Sequence, residues 1–473
     1  MTAITGLLPS PASAVALTGS LDCSAGFRVV GDEPLAAATT FVLADAGRTP
    51  IDGAAVVHVA IDDSLAEEAY ALTVAADGVR ISAATAQGAR WAAWTLLQLA
   101  ADGTLPCCEI RDEPRLAWRG IMVDTARHFM PIGWLHSFVR QVAAAKYNRL
   151  QLHLSDDEGW RFESKRHPEL HTVGGTRPRT EFPGLRGADE NPHSGWYTQD
   201  ELRELVAHAA ALGVTVVPEI SMPGHSGAWQ TAMPQLAAHP EAFAEPRPWR
   251  VLRQALNLTP ECLEVIGDVL DELADVFDSP WIHTGGDEVA GMAPGEQCRF
   301  TAWLDEQVRA RGRIAATWDE AVEGCPTPGV LVTAWRGVDA VRAATDAGHL
   351  TVAAPNPTLY LDHRQHLDDP DVTTWGWIST WPDVLAYDPL AGLGRPELVV
   401  GSQCQLWAET LPTPRHVEVA AWPRAAAHAQ AAWSGPSADP DAFLPALTAH
   451  LERLDRAGVA YRPFDGLPGW YLP

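Results

Sequence analysis

The chain has 473 residues, 47% of them hydrophobic, which is ample apolar surface for a large interior and more residues than one ordinary core accommodates. Its 60 acidic residues against 34 basic ones leave a net charge of -26, and no Lys/Arg run is present, which argues against nucleic acid and anionic membrane surfaces as partners. No stretch approaches the roughly 18 uninterrupted apolar residues of a membrane span.

The N-terminus, MTAITGLLPSPASAVALTGS, lacks the basic leader and dense apolar core of a secretory signal, so it reads as the first strand of the fold and the chain as cytoplasmic. The cysteines at 23, 107, 108, 262, 298, 325 and 404 are odd in number and without C-x-x-C spacing. They read as reduced thiols rather than a disulfide framework or zinc site.

Residues 14 to 82 break into short strand-like stretches, FRVV, FVLAD, AAVVHVAID and YALTVAADGVRIS, separated by turn residues. GARWAAWTLLQLA then has helical periodicity, so an antiparallel sheet with a packed helix is expected over an accessory α+β domain at 1–114. From 115 to 473 strands and helices alternate. Strand candidates lie at 119–125, 149–155, 214–220, 281–286, 314–318, 330–335, 350–354 and 398–407, with helical runs such as GWLHSFVRQVAAAKY and TQDELRELVAHAAALG between them. Eight such units predict a (β/α)8 barrel, partly irregular because no helix is evident after the fifth and seventh strands. The stretch from Asp441 to Gly458 predicts a final amphipathic helix on the barrel's outside.

Active sites of such barrels lie at the C-terminal strand ends, so the residues there matter most. The first strand ends at Asp124 with Arg127 and His128 beyond it; the second runs into Asp156 and Asp157, and the third into EISMPGH with His225. The fourth ends in HTGGDEV with Asp287 and Glu288, and the last four supply Trp318, Trp335, Tyr360 with Asp362, and Trp407 with Glu409. Indole walls, carboxylates and an Arg suit a sugar, whose C–H faces pack on aromatic rings while its hydroxyls take charge-assisted hydrogen bonds.

Each residue also has a plainer reading. With 19 Trp in the chain, any single one belongs more readily to the core. Asp156 or Asp157 would serve as a helix N-cap, and His153 and His225 as satisfied interior histidines. Adjacent carboxylates after two glycines resist a structural explanation, because neighbouring strand residues point to opposite faces and only a loop lets both reach one site.

Together RGIMVDTARHF, YNRLQLHLSDDEGWR, PEISMPGH, HTGGDE, WDEA, LYLD and LWAETL, in that order over about residues 119 to 412, resemble the motif series of the family 20 glycoside hydrolases, the β-N-acetylhexosaminidases. The resemblance implies exo-acting, retaining, substrate-assisted hydrolysis of a glycan or glycoconjugate with a terminal β-N-acetylhexosamine, in which the 2-acetamido oxygen is the nucleophile. It assigns Glu288 as acid and base and Asp287 as the partner of the acetamido N–H. It gives Arg127 the 3- and 4-hydroxyls, Glu409 the 4-hydroxyl, Asp362 the outer hydroxyls and Tyr360 the acetamido oxygen. Trp318, Trp335 and Trp407 would line the pocket, Trp375 would meet the next sugar, and Asp156 with His225 would tune Glu288. No cofactor or metal is implied. One position departs from the pattern: Ser221 stands where Asp is expected before Met-Pro-Gly-His. Two other readings of the rim remain, a divalent-metal hydrolase and a non-catalytic sugar-binding barrel.

Overall fold

Residues 4–100, 102–181, 188–189, 191–243, 254–325, 327–370 and 376–471 are described in a computed structural model. The N-terminal part is a six-stranded sheet of β1 (Ser13–Asp22), β2 (Phe27–Gly31), β3 (Ala55–Ile61), β4 (Tyr70–Ala75), β5 (Gly78–Ala83) and β6 (Thr104–Asp112), in the order β1-β6-β4-β5-β3-β2. Helices α1 (Glu33–Asp45) and α2 (Ala86–Leu99) pack side by side on it.

Two expectations are corrected here. FVLAD is the end of α1 and not a strand, because Leu35, Ala38, Thr39, Val42 and Leu43 recur at three- and four-residue spacing on the buried side. The sheet is mixed and not antiparallel: α1 is a crossover, so β2 pairs parallel with β3, which also runs parallel to β5.

All eight expected barrel strands form: β7 (Trp118–Asp124), β8 (Arg149–His153), β9 (Thr215–Glu219), β10 (Trp281–His283), β11 (Ile314–Trp318), β12 (Leu331–Ala334), β13 (Thr351–Ala353) and β14 (Val399–Leu406). They pair in chain order, all parallel, and β14 closes on β7. Every residue of β7 is buried, as a strand covered on both faces requires.

The outer helices are α3 (Ile132–Ala144), α4 (Gln199–Leu212), α5 (Pro260–Val276), α6 (Pro294–Ala310), α7 (Val338–Asp346), α8 (Trp381–Ala386), α9 (Pro414–Ala421), α10 (Arg424–Ser434) and α11 (Pro440–Ala457). The irregularity lies where the sequence placed it. One 3-10 turn, Asp319–Val322, follows β11, and a long connection leads from β13 to the six-residue α8. Helix α4 shows how local chemistry fixes an element: Thr198 and Glu201 form a reciprocal capping box, and Gly213 ends the helix at φ +95. The last helix, α11, packs on α10, and its Arg453 donates to the carbonyl of Gly6.

The sheet unit grips the barrel through polar contacts. From α2, Gln87 donates to Gly213 O, Arg90 to Ala211 O and Trp94 to Leu212 O, so side chains of one unit cap the C-terminal carbonyls of α4 in the other. Buried Arg119 pairs with Glu68 at 2.5 Å, and buried Lys146 with Asp112 at 2.6 Å.

Cys298 in α6 and Cys325, just after the 3-10 turn, form a disulfide, which corrects the reading of all seven as thiols; the other five are buried and free. Their separation of 27 residues matches no motif, and the fold alone brings them together. Among the described residues no helix is long and apolar enough to cross a membrane.

Candidate active site

A chain of side chains climbs the barrel interior from its closed end. Trp118 donates to Gln403, Gln403 to Gln151, and Gln151 to Glu219, which also accepts from the Trp318 indole at 2.9 Å. His153 and His283 place Nδ1 at 2.8 and 3.3 Å from the same carboxylate. Burial opposes an ionised Glu219, but the two histidines outweigh it and hold its pKa well below the usual range. The floor of the pocket is therefore a fixed anion that aims Trp318.

Above it the indoles and the phenol gather as the sequence suggested. Trp318, Tyr360, Trp407 and Met122 form one buried cluster with Trp335 at its margin. Trp335 stacks on Tyr360 at 6.1 Å between ring centroids, and Trp407 lies 5.8 Å from Trp318 and 6.3 Å from Tyr360. Asp362 is buried beside His363, and its Oδ1 has no hydrogen-bond partner among the described residues. Trp375 lies outside the described residues.

Against this cluster, with its guanidinium carbon 5.1 Å from the Trp407 ring centroid, Arg127 lies among four acids: Asp124 at 3.1 Å, Asp156 at 2.9 Å, Glu158 at 2.6 Å and Glu409 at 3.8 Å. Asp124 also accepts from the N–H groups of Ala126, Arg127 and Ala408, which ties the ends of β7 and β14 together. Burial weakens the Arg127 cation, yet the acids, Asp156 foremost, hold its pKa well above normal. The same burial raises Glu158 well above the carboxylate range and lifts Glu409 to about 7. His128 is spent structurally, with Nδ1 2.6 Å from Ala408 O.

His225 connects this group to the carboxylate pair. Its Nδ1 is 3.1 Å from Asp156, and its Nε2 is 3.6 Å from both Asp287 Oδ2 and Glu288 Oε2. Burial disfavours the imidazolium, but Asp156 and then Asp287 raise its pKa well above normal. Asp156 is likewise held well below its usual value, with burial overcome by Arg127 and His225.

The turn after β10 answers why two glycines precede two acids. Gly285 and Gly286 stand at φ +70 and +96, and a Cβ on Gly286 would come within 2.6 Å of Ala321 Cβ. Glu288 follows at φ +47, uncommon for a residue with a side chain. The pair is thereby split by exposure: the Asp287 side chain is 13% exposed and that of Glu288 44%. Asp287 Oδ1 is buried with no hydrogen-bond partner among the described residues, and burial raises its pKa against the pull of His225. Ser221 is buried under this turn, so close that a Cβ on Gly285 would meet its Cα at 2.8 Å.

Asp156, Asp157 and His225 bring donor atoms within 4.8 Å of one another, the spacing a metal needs. Most of their atoms are engaged otherwise, although Asp157 Oδ2 is buried with no hydrogen-bond partner among the described residues. Asp156 serves Arg127 and both His153 and His225, and Asp157 Oδ1 accepts from Gly227 N at the start of the six-residue helix Gly227–Ala232. A guanidinium and an imidazolium already supply the positive charge there, which disfavours a further cation.

Three acids escaped the sequence reading: Glu158, Glu219 and Glu320. All sit inside the quoted motifs, in DDEGW, PEI and WDEA, and their only sequence signal is a carboxylate where a barrel strand gives way to its loop.

A parallel barrel whose strand ends gather carboxylates under a wall of indoles has the build of a barrel glycoside hydrolase. Residues 116–436 match the family model for the catalytic domain of glycosyl hydrolase family 20, and residues 5–113 the model for domain 2 of that family. A beta-hexosaminidase of Akkermansia muciniphila is 35% identical over 411 residues, covering 78% of this chain and 80% of the relative. The GH20 beta-N-acetylhexosaminidase of Streptomyces coelicolor A3(2) superposes with a TM-score of 0.86 at 28% identity, covering 99% of each chain. The GH20 exo beta-N-acetylglucosaminidase of Vibrio harveyi, solved in complex with N-acetylglucosamine, gives the same TM-score and identity over 98% of this chain and 79% of that one. The chain belongs to glycosyl hydrolase family 20.

Proposed function

We propose that the enzyme is an exo-acting, retaining β-N-acetylhexosaminidase that removes terminal β-linked GlcNAc or GalNAc with help from the substrate's own acetamido group. The observation that carries this reading is the division of labour between the adjacent acids, one with a buried oxygen that has no hydrogen-bond partner among the described residues and one with an exposed side chain.

In the first step the acetamido oxygen attacks the anomeric carbon while the glycosidic C–O bond breaks, and Glu288 gives its proton to the departing oxygen. Asp287 Oδ1 accepts the acetamido N–H, which turns the carbonyl toward the anomeric carbon and sets a negative charge beside the oxazolinium that forms. In the second step water attacks the anomeric carbon, Glu288 takes its proton, and the ring of the intermediate reopens with net retention. His225, held cationic by Asp156, sits beside both acids and limits their mutual repulsion.

Arg127 suits the 3- and 4-hydroxyls with Glu409 beside it, and Asp362, whose Oδ1 has no hydrogen-bond partner among the described residues, suits an outer hydroxyl. Trp318, Trp335, Trp407 and Tyr360 supply walls for the ring and the acetamido methyl. Aryl glycosides test the reading: β-GlcNAc and β-GalNAc substrates should turn over, and a thiazoline mimic of the cyclised intermediate should inhibit strongly. Comparable turnover of an aryl β-glucoside, which has a 2-hydroxyl and no acetamido group, would refute substrate assistance.

A further inference from the structure

Glu320 has no role in the scheme above, yet it touches the loop that carries it. The residue lies on the 3-10 turn Asp319–Val322, where a regular barrel would place the start of a helix. Its Oε2 accepts the backbone N–H of Glu288 at 3.0 Å, and its Oε1 accepts the Trp335 indole N–H at 3.1 Å. Among the described residues only Lys146, His225 and Glu288 combine a side chain with positive φ. Glu288 is thus held in an unfavourable backbone conformation, and the contact from Glu320 falls on its own amide.

The turn bearing Glu320 is braced. Ala321 lies against Gly286, Thr301 of α6 donates to Ala321 O, and Gln297 of α6 donates to Gly286 O. Cys298–Cys325 links the same helix to the chain just past the turn. Beside Glu320, Asp319 accepts from Trp335 N and from Arg336 Nε.

We infer that Glu320 is a positioning residue for proton transfer, its two oxygens clasping the Glu288 backbone and the Trp335 indole so that the acid and the pocket wall keep one fixed relation. This rests on Glu288 being the proton donor. Both partners are N–H donors, so a group with two acceptor oxygens is required. A glutamine offers one and turns its NH2 against the other donor. Holding a charge there is costly: burial, and then Asp287, lift the Glu320 carboxyl to about 7 against the pull of the Glu288 backbone N–H and of Arg336. Such an acid kept in place against its environment marks a functional position.

The test measures kcat/KM for aryl β-N-acetylglucosaminides of graded leaving-group acidity on wild type, Glu288→Gln and Glu320→Gln, with thermal unfolding to establish folding. A displaced acid fails mainly when the leaving group needs its proton, and a misplacement of about 1 Å costs roughly 100-fold. Glu320→Gln should therefore lose about 3-fold or less on the best leaving groups and on the order of 10- to 100-fold on the poorest. Should Glu320→Gln fail to fold, Glu320→Asp keeps both acceptors, withdraws them by one methylene, and should show the same selective loss. If Glu288→Gln has no leaving-group dependence, the assignment of the proton donor falls. If Glu288→Gln shows it while the folded Glu320 variant loses equally on all substrates or on none, the positioning role is overturned.

Discussion

Replacing Asp287 by Asn removes a charge while keeping the shape and one acceptor oxygen. If Asp287 faces the oxazolinium, two unit charges about 4 Å apart at an effective dielectric near 20 attract by about 4 kcal/mol. A neutral acceptor keeps at most half of that, so roughly 2–4 kcal/mol of transition-state stabilisation is lost, or about 30- to 1000-fold in kcat/KM. The assay uses aryl glycosides with good and poor leaving groups, and the loss should be alike on both, because the acetamido group attacks in the same step whichever leaving group departs. Stability should move the other way. The folded pKa of Asp287 is raised by burial, so the native state resists the ionised form as pH rises through it, and Asn removes that cost. The melting temperature at pH 7 should not fall. A loss under about 5-fold, or one confined to poor leaving groups, would refute the acetamido role.

Glu288→Gln should lose on the order of 100- to 10,000-fold on natural disaccharides and much less on aryl glycosides with good leaving groups; equal losses would remove it from the acid role. Arg127→Met leaves buried Asp156 and Glu158 without their cation and should cost about 3–5 kcal/mol. Because protonating acids of raised pKa relieves the repulsion, the deficit in thermal stability should be larger at pH 8 than at pH 5, and a pH-independent deficit would contradict the account. Ser221→Asp puts a like charge beneath the turn of Asp287 and Glu288, which disfavours their ionised forms. The alkaline limb of kcat/KM, which reports loss of the acid's proton, should rise by on the order of one unit, and a limb unmoved or lowered would leave Ser221 a packing choice.

The barrel was legible because its strands are short apolar runs punctuated by turn residues, and each of the eight was placed within a few residues of where it forms. Helix α1 was not fully legible, since Phe41-Val42-Leu43 reads as a strand unless the spacing back to Leu35 is weighed. The parallel pairing of β2 with β3 depends on that same helix, whereas β3 runs parallel to β5 because β4 lies between them in the chain and next to β5 in the sheet. In the site, the residues that end strands could be expected to gather, because a barrel rim makes position informative, and the described ones lie together. Glu158, Glu219 and Glu320 were missed because their meaning lies in partners on other strands: Arg127, Trp318 and the Glu288 backbone. The pairing of Cys298 with Cys325 was invisible for the same reason.

The contact between α2 and the end of α4 bears on how far the two units are modular. A barrel cut loose at residue 115 would leave the carbonyls of Ala211, Leu212 and Gly213 without Arg90, Trp94 and Gln87, and would strip Arg119 and Lys146 of their acids. The damage would not stay at that edge. Helix α4 leads directly into β9, which delivers Glu219 and the turn of His225, so the loosened joint is one strand's length from the chemistry. Swapping catalytic barrels between such enzymes therefore calls for moving the sheet unit with them, because in this chain it is the foundation on which the third strand of the barrel rests.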